Sequence, residues 1–144
     1  MIGLLIISHC DLGKELLNAA ELILGNLEAA DAISITQTTE SEELLKTISG
    51  KIKALDCGQG VLILTDMFGG TPSNLSLSFL EEERVEVLTG VNLPMVVSLA
   101  HDRDRLTLVQ LGEKAQQAGK RSIALAGKML KLEKSKSSTR KRKT

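Results

Sequence analysis

Aromatic residues are almost absent from this sequence: of 144 residues two are Phe and none is Trp or Tyr. That removes the stacking platforms on which single strands of nucleic acid are held, and it leaves the core to be built from Leu, Ile, Val, Ala and Met. Long apolar runs are missing too. Ile2 to Ile7 and Val61 to Leu64 fall far short of the ~20 residues a membrane-spanning helix needs, so no membrane span is expected. No basic segment precedes the first apolar run and no small-residue cleavage site follows it, which argues against secretion. Cysteine is scarce. Cys10 and Cys57 have no C-x-x-C spacing and make no disulfide framework, as suits a reducing compartment, and the expected location is cytoplasmic. Metal-ligand spacing is lacking as well: His9, Cys10 and Asp11 are consecutive, and His101 stands near Asp102 and Asp104 without a second cluster, a poor basis for a tetrahedral site. Neither a metal nor a cofactor is expected.

What is present is ordinary globular composition, 42% hydrophobic and 25% charged, at the usual size of one domain. The net charge of zero hides an asymmetry, because residues 131–144 carry seven basic residues and one acid while residues 1–130 carry eleven and seventeen. The expected organisation is a domain over 1–130 and a basic tail over 131–144. That tail has too few apolar residues to offset the entropy of ordering, so composition predicts disorder.

Short aliphatic runs alternate with stretches of helical period, the pattern of an α/β fold with a mainly parallel sheet and helices on both faces. Four strands are expected: Ile2 to Ser8, apolar throughout as a strand buried on both faces should be, then Ala32 to Thr36, Gly60 to Thr65 and Val85 to Leu88. Between them lie helices over Asp11 to Leu24, ended by Gly25, over Ser41 to Leu55, begun by a capping-box-like Thr39-Glu40-Ser41-Glu42, and from Thr71 to about Leu80. The last has Thr71 as N-cap and Pro72 at the first helical position. Gly90-Val91-Asn92-Leu93-Pro94 opens another helix, and Leu106 to about Leu125 reads as a long helical stretch broken near Gly119.

In an open parallel sheet ligands bind beyond the carboxyl ends of the strands, where the strand order reverses. The first strand ends at Ser8-His9-Cys10-Asp11 and the third at Thr65-Asp66, followed by Gly69-Gly70-Thr71-Pro72-Ser73-Asn74. In a 2-1-3-4 order His9 and Asp66 meet. A carboxylate that accepts one ring N–H leaves the other imidazole nitrogen free as a nucleophile and stabilises the charge that grows on the ring. Gly69 and Gly70 let the backbone approach closely, and Thr71, Ser73 and the amides at the helix start are candidate donors to an anion. Phosphoryl transfer needs little more than such positioning. Each feature also has an ordinary structural use: a loop histidine with satisfied partners, a strand-to-helix turn, a loop-capping aspartate. On these residues alone both readings stand.

The segments Ile2 to His9, Leu62 to Asn74 and Leu88 to Met95, taken in order and spacing, resemble the mannose-type (mannose, fructose, sorbose) enzyme IIA family of the phosphoenolpyruvate-dependent sugar phosphotransferase system. The resemblance runs from residue 1 to about 127, and the D-x-x-G-G-[ST]-P-x-N segment with G-V-N-x-P is its specific part. It implies a phosphohistidine shuttle, a phosphotransferase component in which HPr donates a phosphoryl group to His9 and a mannose-type enzyme IIB on a separate chain accepts it for sugar uptake. Asp66 falls on the orienting aspartate and Thr71 on the phosphate-cradling position, with Gly70 amides nearby. The resemblance also implies a homodimer with a fifth, antiparallel strand exchanged between subunits, for which Ser122 to Leu125 is the candidate. Two departures stand out: Cys10 where the family commonly has a small residue, often Gly, and Phe68 where some members have Trp. A small buried or half-buried thiol is the expected reading of Cys10.

The alternatives are a stand-alone regulatory phosphocarrier without transport, the phosphoryl-donor subunit of dihydroxyacetone kinase, against which Gly69 to Asn74 counts, and, in a different class, a binding module that uses the basic tail for polyanions. Nucleic acid is not an expected partner of the domain.

Overall fold

The computed structural model describes residues 1–67 and 69–142, with side chains described through Lys136; Phe68, at the position noted for Trp, and residues 143–144 lie outside the described residues. The elements run β1 (Gly3–His9), α1 (Leu12–Leu24), β2 (Ala30–Ile35), α2 (Ser41–Leu55), β3 (Val61–Thr65), α3 (Thr71–Leu77), β4 (Val85–Thr89), α4 (Leu93–Asp102), α5 (Leu108–Arg121) and α6 (Ala126–Arg142). The four strands form one parallel sheet in the order β2-β1-β3-β4, as expected. β1 is central, and its register sets Ile7 opposite Thr65 and His9 opposite Ile35.

Because successive side chains of a strand point to opposite faces, β1 feeds two cores. Leu4 and Ile6 pack with Leu62 and Leu64 beneath α1, α4 and α5, where Leu17, Ala20, Val96, Leu99 and Leu111 close the layer. Leu5 and Ile7 join Ile33, Val61 and Ile63 beneath α2 and α3, with Leu44 and Ile48 from α2. Burying each such side chain contributes about 1.5–3 kcal/mol, which is why β1 and β3 carry apolar residues on both sides. The lower end of β1 is held by buried Arg103, whose Nε donates to the Ile2 carbonyl at 2.9 Å and Nη2 to that of Ala29 at 2.7 Å.

Several expected boundaries move. β2 begins at Ala30 and ends at Ile35. The N-cap of α3 is Gly70, with Thr71 the first helical residue and Pro72 the second, and the helix stops at Leu77; Pro fits any position of the first turn, since those N–H groups lack helical partners. At α2 the N-cap is Glu40, without a side-chain cap. Asn92 caps α4 by accepting the Met95 N–H at 3.0 Å, and its Nδ2 donates to the Gly119 carbonyl at 3.1 Å, pinning α4 to α5. The long helical stretch expected over Leu106 to about Leu125 holds one helix, with no break at Gly119. α5 ends at Arg121, Ser122 to Leu125 are neither helix nor strand, and α6 begins at Ala126.

Across the basic segment from Lys131 onward, for which composition predicts disorder, α6 runs helical to Arg142. Lys, Leu, Met, Glu and Arg are good helix formers and a helix satisfies its own backbone. Composition measures the missing core, and this helix has none: every described residue from Lys120 to Lys136 is exposed.

Candidate functional site

β1 and β3 lie side by side, so their carboxyl ends deliver His9 and Asp66 to one place although 57 positions separate them. The backbone after His9 turns sharply. Cys10 has φ of 50°, in the left-handed region that favours glycine, and its N–H still reaches the Ile35 carbonyl at 2.9 Å. That conformation accounts for a small residue suiting the position. Cys10 is exposed, contrary to the buried or half-buried thiol expected, because the turn carries it out of the sheet. Behind it, buried Ser8 Oγ accepts the Gly13 N–H at 2.8 Å and donates to the Cys10 carbonyl at 3.1 Å. This hydroxyl stitches the end of β1 to the start of α1.

Asp66 follows β3 directly. Its Oδ2 accepts two hydrogen bonds from His9, from the main-chain N–H at 2.9 Å and from ring Nδ1 at 2.8 Å, while Oδ1 accepts the Met67 N–H at 3.0 Å. Burial pushes the Asp66 carboxyl up, but the His9 amide, the His9 ring and its charge, and the Met67 amide outweigh that and hold it below the usual aspartate range. An ionised carboxylate only accepts, so the proton between the two groups belongs to Nδ1. In the neutral ring Nε2 then carries the lone pair. The Asp66 side chain is 11% exposed and that of His9 48%: the anchor is covered and the ring is open to a partner.

Gly70 lies against the ring at the free nitrogen. A Cβ at this position would sit 3.0 Å from His9 Cε1 and 3.5 Å from Nε2, so any larger residue crowds the Cε1–Nε2 edge of the ring. Gly69, with φ of 88°, makes the turn before it. Thr71 is exposed at the start of α3, where the Asn74 N–H to Gly70 carbonyl bond of 2.9 Å is the first to close. Ser73 is different. It is fully buried, and its Oγ has no hydrogen-bond partner among the described residues.

Of the residues singled out from sequence, His9 and Asp66 are in contact, Gly70 lies beside the ring, Gly69 and Thr71 flank it along the chain, and Ser73 is buried. Sequence reasoning passed over Ser8 and the Met67 amide. A hydroxyl at a strand end, followed five residues later by the glycine of a helix start, was the available signal for the first. Among the described residues no three His, Cys, Asp or Glu side chains are grouped to hold a metal ion.

Residues 3–116 match the family model EIIA-man, "PTS system fructose IIA component". The mannose-specific EIIAB component of Escherichia coli (strain K12) is 35% identical over 104 residues, covering 72% of this chain and 32% of that protein, so the chain spans about a third of the length of the EIIAB relatives it matches. The fructose-specific EIIA component of Bacillus subtilis (strain 168) is 30% identical over 112 residues, 77% of either chain. In architecture the chain resembles the crystal structure of a phosphotransferase system component EIIA from Streptococcus agalactiae, with a TM-score of 0.81 at 24% identity over 89% of this chain and 99% of that one.

Proposed function

This chain belongs to the EIIA-man family, the mannose-type IIA components of the sugar phosphotransferase system, and from that premise we propose that it carries its phosphoryl group on Nε2 of His9. The single observation that bears most weight is the 2.8 Å bond between His9 Nδ1 and Asp66 Oδ2, which supports a neutral ring with its proton on Nδ1 and Nε2 free to react. Neutral His9 attacks the phosphorus of phosphohistidine on HPr. The Nε2–P bond forms as the donor's N–P bond breaks, and the donor imidazole leaves with the electron pair of that bond. As His9 becomes positive, Asp66 is already ionised and in contact, so no reorganisation is required. Gly70 clears the path in line with Nε2, and the Thr71 hydroxyl and neighbouring amides at the start of α3 serve the equatorial oxygens.

The second half of the cycle returns the phosphoryl group to a mannose-type enzyme IIB on a separate chain, for carbohydrate uptake in the cytoplasm. Among the described residues no helix is long and apolar enough to cross a membrane. A homodimer fits the same reading. Among the described residues β4 pairs with one strand, β3, and bridges to Glu81 only at Val85, and Ile123 and Leu125, 79% and 75% exposed in the irregular segment after α5, are placed at a strand-like spacing that would pair with such an edge in a second copy.

Incubation with enzyme I, HPr and phosphoenolpyruvate, followed by mass spectrometry of the intact chain, tests the proposal. One added, acid-labile phosphoryl group is expected, absent from His9→Ala. A His9→Ala chain that still acquires the group sinks the assignment.

A further inference from the structure

The site above makes no use of α6, whose composition and placement call for their own explanation. Over its first turns Ala126, Met129, Leu130 and Leu132 fall on one side of the helix and Lys128, Lys131 and Lys134 on the other, by the 100° per residue of helical geometry. Met129, Leu130 and Leu132 are 50%, 58% and 57% exposed. Glu133, the one acid of the helix, lies on the apolar side, and the sequence beyond Lys134 holds Lys136, Arg140, Lys141 and Arg142 and no acid. Among the described residues no other element packs extensively on this helix.

We propose that α6 is a reversible anchor to an anionic lipid surface, with its apolar residues set into the headgroup boundary and its lysines against the lipid phosphates. Two signals coincide here, and one alone is weak: a short row of apolar side chains, and a dense positive charge that complements an anionic surface. A polyanion such as duplex DNA would use the charge but leaves Met129, Leu130 and Leu132 without a role. A second α6 packed on those residues would bring two strongly positive helices together. The domain itself is acidic, with seventeen acids against eleven bases over residues 1–130, so an anionic bilayer repels it while drawing α6. The helix therefore lies on the surface and holds the domain off it, with His9 accessible.

The test is flotation of the full chain with vesicles of phosphatidylcholine alone and of phosphatidylcholine with phosphatidylglycerol, beside a short duplex DNA as the polyanion probe. The chain should float with the phosphatidylglycerol vesicles only. Lys131→Gln with Lys134→Gln should weaken that partition about thirtyfold, and Leu130→Asp with Leu132→Asp should abolish it. Both pairs are exposed, so thermal melting and phosphorylation by HPr should be unchanged, and the outcome is separate from the assignment of His9. Absence of flotation with the anionic vesicles overturns the proposal. Flotation that survives the leucine changes, together with equal DNA binding, overturns it in favour of a polyanion site. So does a halved mass in sedimentation on making the leucine changes, which would assign the face to a second copy.

Discussion

Two covered aspartates lie at opposite ends of the sheet, and they are satisfied in different ways. Asp102, 3% exposed at the end of α4, is held by Lys114 of α5 at 2.6 Å and by Arg105, and its neighbour Arg103 accepts the Ile2 N–H at the start of β1. Asp66, at the other end, has two amides and an imidazole but neither Lys nor Arg among its hydrogen-bond partners in the described residues. Hydrogen bonds from Lys114 and Arg105, with burial opposing, hold the Asp102 carboxyl below the usual aspartate range, and its charge balance is permanent. The balance at Asp66 becomes complete only when the ring acquires a positive charge. A carboxylate with fixed cations serves the fold; one whose partner changes charge is suited to a reaction.

Exchanging the two roles by mutation should break this contrast most visibly at the ring. His9→Ala should lose phosphoryl uptake altogether, measured as incorporation of label from phosphoenolpyruvate, with the melting temperature little changed because the ring is about half exposed. Asp66→Asn should slow phosphoryl transfer by on the order of a hundredfold, read from rapid-quench kinetics at saturating phospho-HPr, while the fold survives by circular dichroism. Gly70→Ala, by crowding Nε2, should slow transfer about tenfold with little effect on binding of the donor, so that the loss falls on the rate and not on the apparent affinity.

Asp102→Asn should do the reverse. It leaves Lys114 and Arg105 without their shared partner, so it should lower the melting temperature and leave the transfer rate as it is. Smallest is the pH effect. Both carboxyls have folded values below the usual aspartate range, so their stabilisation is present above about pH 4 and is lost as pH falls through the depressed values. Urea midpoints should therefore drop below about pH 4, and the drop should be shallower in Asp102→Asn, with a smaller flattening in Asp66→Asn.

The two ends were not equally legible in the sequence. Strands buried on both faces announce themselves as unbroken apolar runs, so β1 and β3, and with them the meeting of His9 with Asp66, followed from patterning and the switch-point rule. The orientation of Ser73 did not. In a helix as short as Thr71–Leu77, a shift of one residue at the cap turns each side chain by about 100°, and the cap fell on Gly70 where Thr71 had been expected. The pairing of Asp102 with Lys114 was hidden for a different reason: it joins two helices across a turn, and no local spacing encodes it. Cys10 read as a buried thiol because composition knows the habits of cysteine and nothing of a left-handed φ. In α6 the composition displayed the lack of a core, while helical propensity is a separate signal, since a helix of good formers makes its own hydrogen bonds without one.

The central claim, that Asp66 holds one ring nitrogen so that the other takes the phosphoryl group, is tested most directly by nuclear magnetic resonance of the chain labelled with ¹⁵N-histidine and phosphorylated by HPr. The account predicts phosphorus–nitrogen coupling to Nε2 of His9, with Nδ1 still protonated. Coupling to Nδ1, or to a residue other than His9, would contradict it.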